Sequence, residues 1–190
     1  MACSFIYIKP SYPLIFSTIS SPSCKELFGI CESIIKSEIM ALSGKLIGYV
    51  EISKTGDVFH DLFRHNPHKI VEITPHKVHD CELHEGDRGV VGSIISWHYT
   101  HEGKKKICKQ IIESVNEENH MIVFKVIGGE LGEIYKSFTI IFHVEPKGDG
   151  QQVTWTFEFE KPDTSVPYPT SMMDYLCNLV KDLDAHNSDH

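Results

Sequence analysis

Two groups of histidines suggest a metal site by their type and spacing, because imidazole is a common ligand of transition metals. The first group falls on predicted short helices and the second on the segment that follows: His60, His65 and His68, then His76, His79 and His84. Neither group has the HExxH spacing or the combined Cys and His spacing of a zinc site. We therefore expect surface histidines, with no metal and no cofactor.

A glycine-rich loop, residues 85–92, suggests phosphate binding because its glycines recur every three residues. A nucleotide-binding P-loop, however, ends in Gly-Lys followed by Ser or Thr and leads into a helix. This loop leads into a predicted strand, and Glu85 and Asp87 would repel a phosphate. We therefore interpret it as a hairpin turn, close to the mouth of any cavity inside the fold.

Two lysines could supply acid–base chemistry if they faced an apolar interior, where burial shifts pKa values. By strand alternation Lys109 and Lys136 point inward, while His98 and Tyr99 lie on a central strand. No set of nucleophile, base and orienting group emerges from these residues. The preferred hypothesis is a lysine at a cavity rim that offers its charge to a ligand carboxylate.

The elements that must position these side chains follow the order of one strand, two short helices, six strands and one long helix. The predicted strands span 46–52, 78–84, 90–100, 106–115, 121–127, 134–144 and 153–160, and the predicted helices span 58–63, 68–73 and 171–185. Turns rich in Gly, Asp and Asn separate the last six strands, which is typical of an antiparallel meander. This order predicts an α+β fold, with a curved sheet wrapped around the C-terminal helix.

Alternation along the strands separates an apolar face from a polar one, as in an antiparallel sheet packed on one side only. The apolar face is rich in large aromatics, yet one long helix is available to cover seven strands. The interior is therefore either a cavity lined by apolar groups or a normally packed core. Alternation alone favours the packed core.

Length and composition exclude several classes of protein. The chain has 190 residues, of which 41% are hydrophobic, and a formal net charge of −8, so we expect one globular domain that binds neither nucleic acid nor anionic membranes. No apolar stretch is long enough to insert into a bilayer. The six cysteines are widely and irregularly spaced, which indicates free thiols in a reducing compartment.

The first 39 residues differ in composition from the rest of the chain. They contain no Asp, Arg or His, and residues 10–24 carry no charge at all. Prolines interrupt the apolar part, and the basic residues that a signal or transit peptide needs are scarce. We expect residues 1–39 to be a low-order extension and residues 40–190 to be the folded domain. An upstream start, a gene-model artefact and a genuine targeting segment are the alternatives.

Several short motifs in the right order resemble the plant major latex protein-like family, a branch of the birch pollen allergen (Bet v 1) superfamily. They are residues 40–46 (MALSGKL), 89–94 (GVVGSI), 97–100 (WHYT), 124–129 (FKVIGG), 135–138 (YKSF) and 154–158 (TWTFE). The resemblance covers residues 40–186. It implies the helix-grip (START-like) fold: a seven-stranded antiparallel sheet, two short helices and a long C-terminal helix around a large internal cavity. Residues 1–39 have no counterpart in typical members, and Arg88 stands where they carry Trp.

The resemblance also implies a cytoplasmic plant protein, linked to defence and stress responses, that holds a hydrophobic small molecule such as a lipid or sterol. We expect a monomeric binding protein. The alternative is a small-molecule enzyme that condenses or isomerises a specialised metabolite with Lys109 or Lys136 and a tyrosine. Combined with strand alternation, the resemblance predicts these ligand-binding residues: Ile95, Trp97, Tyr99, Ile107, Lys109, Ile111, Ile122, Phe124, Lys136, Phe138, Ile140, Phe142, Trp155, Phe157, Met172, Leu176, Leu179 and Val180.

Overall fold

The computed structural model describes residues 4–8, 42–53 and 58–188. Within these ranges the chain forms eight strands: β1 (Ser4–Ile8), β2 (Ser43–Ile52), β3 (Val78–Glu85), β4 (Ile94–His101), β5 (Lys104–Asn116), β6 (Met121–Gly129), β7 (Ser137–Lys147) and β8 (Gly150–Glu160). Four helices accompany them: α1 (Val58–Arg64), α2 (Pro67–Ile73), α3 (Glu130–Ile134) and α4 (Thr170–Ser188). None of these helices is both long enough and apolar enough to cross a bilayer.

All described strands belong to one antiparallel sheet with the order β1-β2-β8-β7-β6-β5-β4-β3. Strands β3 to β8 form the predicted meander, and β2 pairs with the last strand of that meander. The register shifts between β3 and β4 and again between β5 and β6, and such irregularities bend and twist a sheet. The sheet encloses α4, which confirms the predicted α+β helix-grip fold with its seven strands.

Strand β1 is an addition to the predicted sheet. Its residues pair antiparallel with β2, from Ser4 opposite Tyr49 to Ile8 opposite Lys45. The prediction of a low-order extension over residues 1–39 did not include this strand. Residues 9–39 of that extension lie outside the described part of the chain.

The core is the concave face of the sheet together with the apolar stripe of α4. Phe142, Val153 and Phe157 are fully buried on the sheet side. Met173 and Val180 are fully buried on the helix side, where an apolar residue recurs every three or four positions. The helix packs most closely against β2 and β8, while α1 contacts β7 and α2 contacts β3.

Two predicted boundaries differ from the structure. The predicted strand 90–100 begins only at Ile94, because the preceding turn holds glycines at positive φ. The short helix α3 begins within the predicted turn 128–132 and ends at Ile134, so that β7 begins at Ser137 rather than at residue 134. Gly129 makes this turn possible: its φ is 76°, and a side chain there would collide with the carbonyl oxygen of Ile107.

Candidate functional site

A cavity of about 60 Å³ lies between the concave face of the sheet and α4. Every element around the interior except β2 and α2 contributes to its wall. The lining residues are Phe63, Val78, Trp97, Tyr99, Cys108, Gln110, Phe124, Leu131, Ile140, Trp155, Met172, Tyr175, Leu176 and Leu179. The volume is smaller than the large cavity that the family resemblance implies, because bulky aromatic and thioether side chains fill much of the interior.

One wall of the cavity is a cluster of aromatic rings around Phe63 of α1. The centroid of the Phe63 ring lies 5.2 Å from that of Trp155, edge to face, and 6.3 Å from that of Trp97. Phe142 packs against the cluster, and the centroid of its ring lies 4.7 Å from those of both Phe63 and Trp155. These ring contacts hold α1 against the sheet and keep this wall apolar.

The opposite end is formed by tyrosines from β4 and α4. The ring of Tyr175 lies 5.6 Å from that of Tyr99 and 5.4 Å from the imidazole of His101. The Tyr175 hydroxyl donates a hydrogen bond of 3.0 Å to the carbonyl oxygen of Lys77. Helix α4 is thereby tied to the start of β3, and the Tyr175 ring is fixed at this end of the cavity.

Two polar atoms that belong to residues of the cavity wall have no hydrogen-bond partner among the described residues, and almost none of the surface of either atom is accessible. They are the hydroxyl oxygen of Tyr99 and the indole Nε1 of Trp155. Both side chains are buried, with exposed fractions of 5% and 2%. Buried polar groups are normally hydrogen-bonded, so a pair of unsatisfied groups on one cavity indicates a missing partner.

The cavity wall carries no formal charge, since it contains no Lys, Arg, His, Asp or Glu. Burial raises the pKa of the Cys108 thiol to about 12, with a smaller opposing effect from Gln110. Burial also raises the pKa values of Tyr99 and Tyr175 well above the ordinary phenol value, because ionisation would place a charge in an apolar interior. All of these groups are therefore neutral at physiological pH.

Lys106 lies on β5 in phase with Cys108 and Gln110, and its side chain is mostly buried. Its Nζ lies 2.8 Å from Glu130 Oε1 and 3.7 Å from Glu102 Oε2, and it donates to His101 Nδ1 at 3.3 Å. Its side chain is 11% exposed and does not reach the cavity wall. The ion pair joins β5 to α3 beside the tyrosine end.

Eight of the predicted ligand-binding residues line this cavity: Trp97, Tyr99, Phe124, Ile140, Trp155, Met172, Leu176 and Leu179. Their contact with a ligand stays a prediction. Six more are buried in the core but do not line the cavity: Ile95, Ile122, Phe138, Phe142, Phe157 and Val180. Alternation identifies the inward face of a strand, but it does not tell which inward side chains pack on their neighbours and which border a space.

The predicted inward face of β5 is wrong by one residue. Ile107, Lys109 and Ile111 were expected to line the cavity, but they lie on the outer face, and Ile107 is 45% exposed. Cys108 and Gln110 point inward instead. Isoleucines at alternate positions suggested the wrong face, because the true inward set includes a polar amide, and a shift of one residue exchanges the two faces of a strand.

The predicted inward position of Lys136 is also wrong. Its side chain is 52% exposed, and its Nζ lies 3.3 Å from Glu160 Oε1. Lys136 precedes β7 rather than belonging to it, because α3 and the bend after it occupy the start of the predicted strand. Neither Lys109 nor Lys136 can therefore offer its charge to a molecule in the cavity as the structure stands.

The sequence interpretation missed six lining residues: Phe63, Val78, Cys108, Gln110, Leu131 and Tyr175. A signal existed for two of them. Tyr175 follows Met172 by three positions and precedes Leu179 by four, so it lies on the same helical face. Phe63 belongs to the helical repeat of α1. Gln110 had no such signal, since a buried amide breaks the apolar pattern.

The other features that suggested chemistry take structural roles. Residues 86–93 form the predicted turn between β3 and β4, where Arg64 Nε donates to the Gly89 carbonyl oxygen at 2.9 Å. None of these loop residues lines the cavity. The imidazole of His84 lies 2.8 Å from the Ser96 hydroxyl. In the described part of the chain, no three His, Cys, Asp or Glu side chains are placed to hold a metal ion.

Comparisons with known proteins agree on one family. The model of the pathogenesis-related protein Bet v 1 family matches residues 41–190. MLP-like protein 31 of Arabidopsis thaliana is 41% identical over 163 residues, which are 85% of this chain and 95% of that protein. MLP-like protein 43 of the same plant is 41% identical over 152 residues, which are 79% of this chain and 96% of that protein.

Solved structures give the same result. The crystal structure of ginseng major latex-like protein 151 from Panax ginseng is 43% identical and has a TM-score of 0.73, covering 76% of this chain and 97% of that one. A norcoclaurine synthase point mutant in complex with a transition-state analogue shares the fold at 17% identity, with a TM-score of 0.59 over 77% of this chain and 96% of that one. The chain therefore belongs to the Bet v 1 family, in its major latex protein-like branch.

Proposed function

We propose that this protein binds a hydrophobic small molecule in the cavity between the sheet and α4. The observation that supports this function is the character of the cavity wall, which is apolar and uncharged and is shared by nine elements of the fold. A neutral apolar molecule gains free energy from leaving water for such a space, at about 25 cal/mol per Å² of apolar surface buried. The family to which the chain belongs is consistent with this function.

The size of the cavity restricts how a ligand enters. Pockets that enclose drug-sized ligands measure roughly 300–1,000 Å³, several times the volume found here. A lipid or sterol would therefore require side chains to move. Met172 and Leu176 are suited to this movement, since a thioether repacks easily and Leu176 is only half-buried.

Binding of the neutral fluorophore N-phenylnaphthylamine tests this proposal. We expect its emission to rise when it enters the cavity of the parent protein and to remain low with the Leu176→Trp variant, whose indole would fill the space. Asn178→Trp is the matched control, because Asn178 is exposed on the same helix. A parent protein that leaves the emission unchanged, or a control variant that loses binding as completely as Leu176→Trp, would contradict the proposal.

We propose a binding role rather than a catalytic one. The alternative, a small-molecule enzyme, relied on Lys109 or Lys136, and both lie away from the cavity wall. The likeness to the norcoclaurine synthase structure concerns the fold alone, at 17% identity. Turnover of a small molecule that disappears in Lys136→Met or Lys109→Met would favour the enzyme.

The cellular setting is proposed on the family resemblance: a monomer in the plant cytoplasm that acts in defence or stress responses. The charge of −8 supports the absence of a nucleic-acid partner. A fluorescent fusion of the full chain, expressed in plant cells, tests the location. A fusion confined to an organelle would restore the targeting hypothesis for residues 1–39.

We also propose that residues 40–190 form the complete ligand-binding domain. Every lining residue of the cavity lies after residue 60. Deleting residues 1–39 should therefore leave binding of N-phenylnaphthylamine unchanged and lower the melting temperature by only a few degrees, because one edge strand is lost. Loss of binding on deletion would mean that the extension contributes to the site.

A further inference from the structure

The indole N–H of Trp155 lacks a partner because its neighbours provide no free acceptor. The ring packs against Phe63 and Phe142, which offer no acceptor atom. The backbone of β8 pairs with β2 on one side and β7 on the other, so its neighbouring carbonyl groups are already used by the sheet. An indole N–H can only donate, and its missing partner must therefore be an acceptor.

Tyr99 carries the second unsatisfied group, and it differs in this respect from two other tyrosines of the interior, the buried Tyr135 and the partly buried Tyr175. The hydroxyl of Tyr175 donates to the Lys77 carbonyl oxygen at 3.0 Å, and that of Tyr135 donates to the Pro167 carbonyl oxygen at 2.9 Å. The Tyr99 hydroxyl has no such contact among the described residues, although only 5% of the residue is exposed. A hydroxyl both donates and accepts, so it can meet either kind of group.

Charge restricts the chemistry of the partner further. The cavity wall has no cation that could neutralise a carboxylate, and the mostly buried Lys106 is already paired with Glu130 at 2.8 Å. An ion in this space would lose its hydration without compensation. The occupant must be uncharged in the part that enters the cavity.

We propose that the ligand is a neutral, largely apolar molecule that bears an acceptor oxygen, a carbonyl or an ether. This oxygen accepts a hydrogen bond from the indole N–H of Trp155 once the surrounding side chains have moved to admit the ligand. A second oxygen-bearing group on the same molecule meets the Tyr99 hydroxyl. This inference rests on the proposed function, and it narrows the ligand class. A molecule that would have to place a carboxylate inside the cavity is excluded, and a pure hydrocarbon is not the preferred ligand.

The test compares indanone with indane, two neutral molecules of the same ring skeleton that differ by one carbonyl group. The indole N–H groups give separate proton–nitrogen NMR signals, and the chain has two tryptophans, so Trp155→Phe assigns the signal. In the ¹⁵N-labelled full chain, we expect indanone to move the Trp155 indole proton downfield and indane to leave it nearly in place. Indanone should also bind about two- to twelve-fold more tightly, the gain from one neutral hydrogen bond.

Three further arms make the result decisive. The Trp155→Phe variant should lose the preference for indanone, while Tyr99→Phe, which removes one hydroxyl, should keep the shift of the Trp155 signal. The anion of indane carboxylic acid should bind more weakly than indane. If Trp155→Phe does not fold, Trp97→Phe assigns the two indole signals instead, and the signal shift and the affinity ratio in the parent protein still decide the matter.

The failures of the two proposals can be told apart. Equal binding of indane and indanone with an unmoved Trp155 signal, or tighter binding of the carboxylate, would overturn this inference and leave the binding function intact. If neither neutral molecule changes any signal of the cavity residues, and N-phenylnaphthylamine also fails to bind, the proposed function is refuted and this inference with it.

Discussion

Three leucines on one face of α4 allow the cavity to be tested through stability. Leu183 is fully buried and lies outside the cavity wall, Leu179 is 3% exposed and lines the cavity, and Leu176 is half-buried and lines it as well. The same change, Leu to Ala, can thus be made at a close-packed site and at two sites beside a space. All three positions are on the same helix, so effects on helix propensity are equal.

The expected losses follow from what each side chain touches. Leu→Ala removes about three carbon groups, worth about 2.4 kcal/mol at about 0.8 kcal/mol each when fully buried. At Leu183 the new void adds to this, and we expect a loss of about 3–4 kcal/mol in the free energy of unfolding. At Leu179 part of the side chain already faces empty space, which lowers the expected loss to about 2 kcal/mol. At Leu176, which water also reaches, about 1 kcal/mol is expected.

Urea unfolding followed by circular dichroism measures these differences, provided that the slope against urea is the same in all variants. Leu176→Trp completes the series. In a filled core it would cost about 1–3 kcal/mol, whereas beside the cavity it should cost less than about 1 kcal/mol and abolish probe binding. Equal losses at Leu179 and Leu183, together with a strongly destabilising Leu176→Trp, would refute the cavity.

Three other predictions use matched pairs or a single deletion. Lys136→Met should change the free energy of unfolding by less than about 1 kcal/mol, because the ion pair of Lys136 is exposed. Lys106→Met should lower it by about 1–3 kcal/mol in urea unfolding, because the Lys106 ion pair is mostly buried. Equal effects would contradict the placement of the two lysines. Gly103→Ala should lower the free energy of unfolding by about 1–2 kcal/mol, because the glycine has a φ of 72° and nothing lies near its missing side chain. Gly129→Ala should lower it by about 2–5 kcal/mol, because the new methyl group would also collide with a carbonyl group. Calorimetric melting should rank the two variants in that order. The free energy of unfolding should fall as the pH rises above about 9, because thiols and phenols that burial keeps neutral in the folded chain then ionise in the unfolded chain. Burial raises the folded pKa of Cys108 to about 12, so Cys108→Ala should make that fall less steep between pH 9 and 12, and an unchanged slope would show that Cys108 is not buried as described.

The order of the elements was predictable because turn residues and hydrophobic periodicity are local signals. The strands of the meander and the apolar stripe of α4 follow directly from alternation and from spacing of three or four residues. The resemblance to a family then supplied the expectation of a large internal cavity, which alternation alone did not favour.

The cavity wall was only half predictable, and the reasons lie in particular residues. On β5 the inward amide of Gln110 and the outward Ile107 reverse the usual pattern, so alternation indicated the wrong face. Lys136 was placed inward by a strand that begins three residues later than expected. The unsatisfied Trp155 N–H depends on the pairing of three strands and on two aromatic neighbours distant in sequence, and no periodicity contains that information.

The edge of the sheet has a consequence for behaviour in concentrated solution. Without β1, the ten residues of β2 would end the sheet and present a row of free backbone groups, a template on which other chains can aggregate. With β1 in place the outermost strand is only five residues long. Because β1 belongs to the same chain as β2, it pairs within one molecule, and a second chain must compete with that intramolecular pairing. The family match begins at residue 41, so this protection against aggregation comes from a part of the chain outside the family domain.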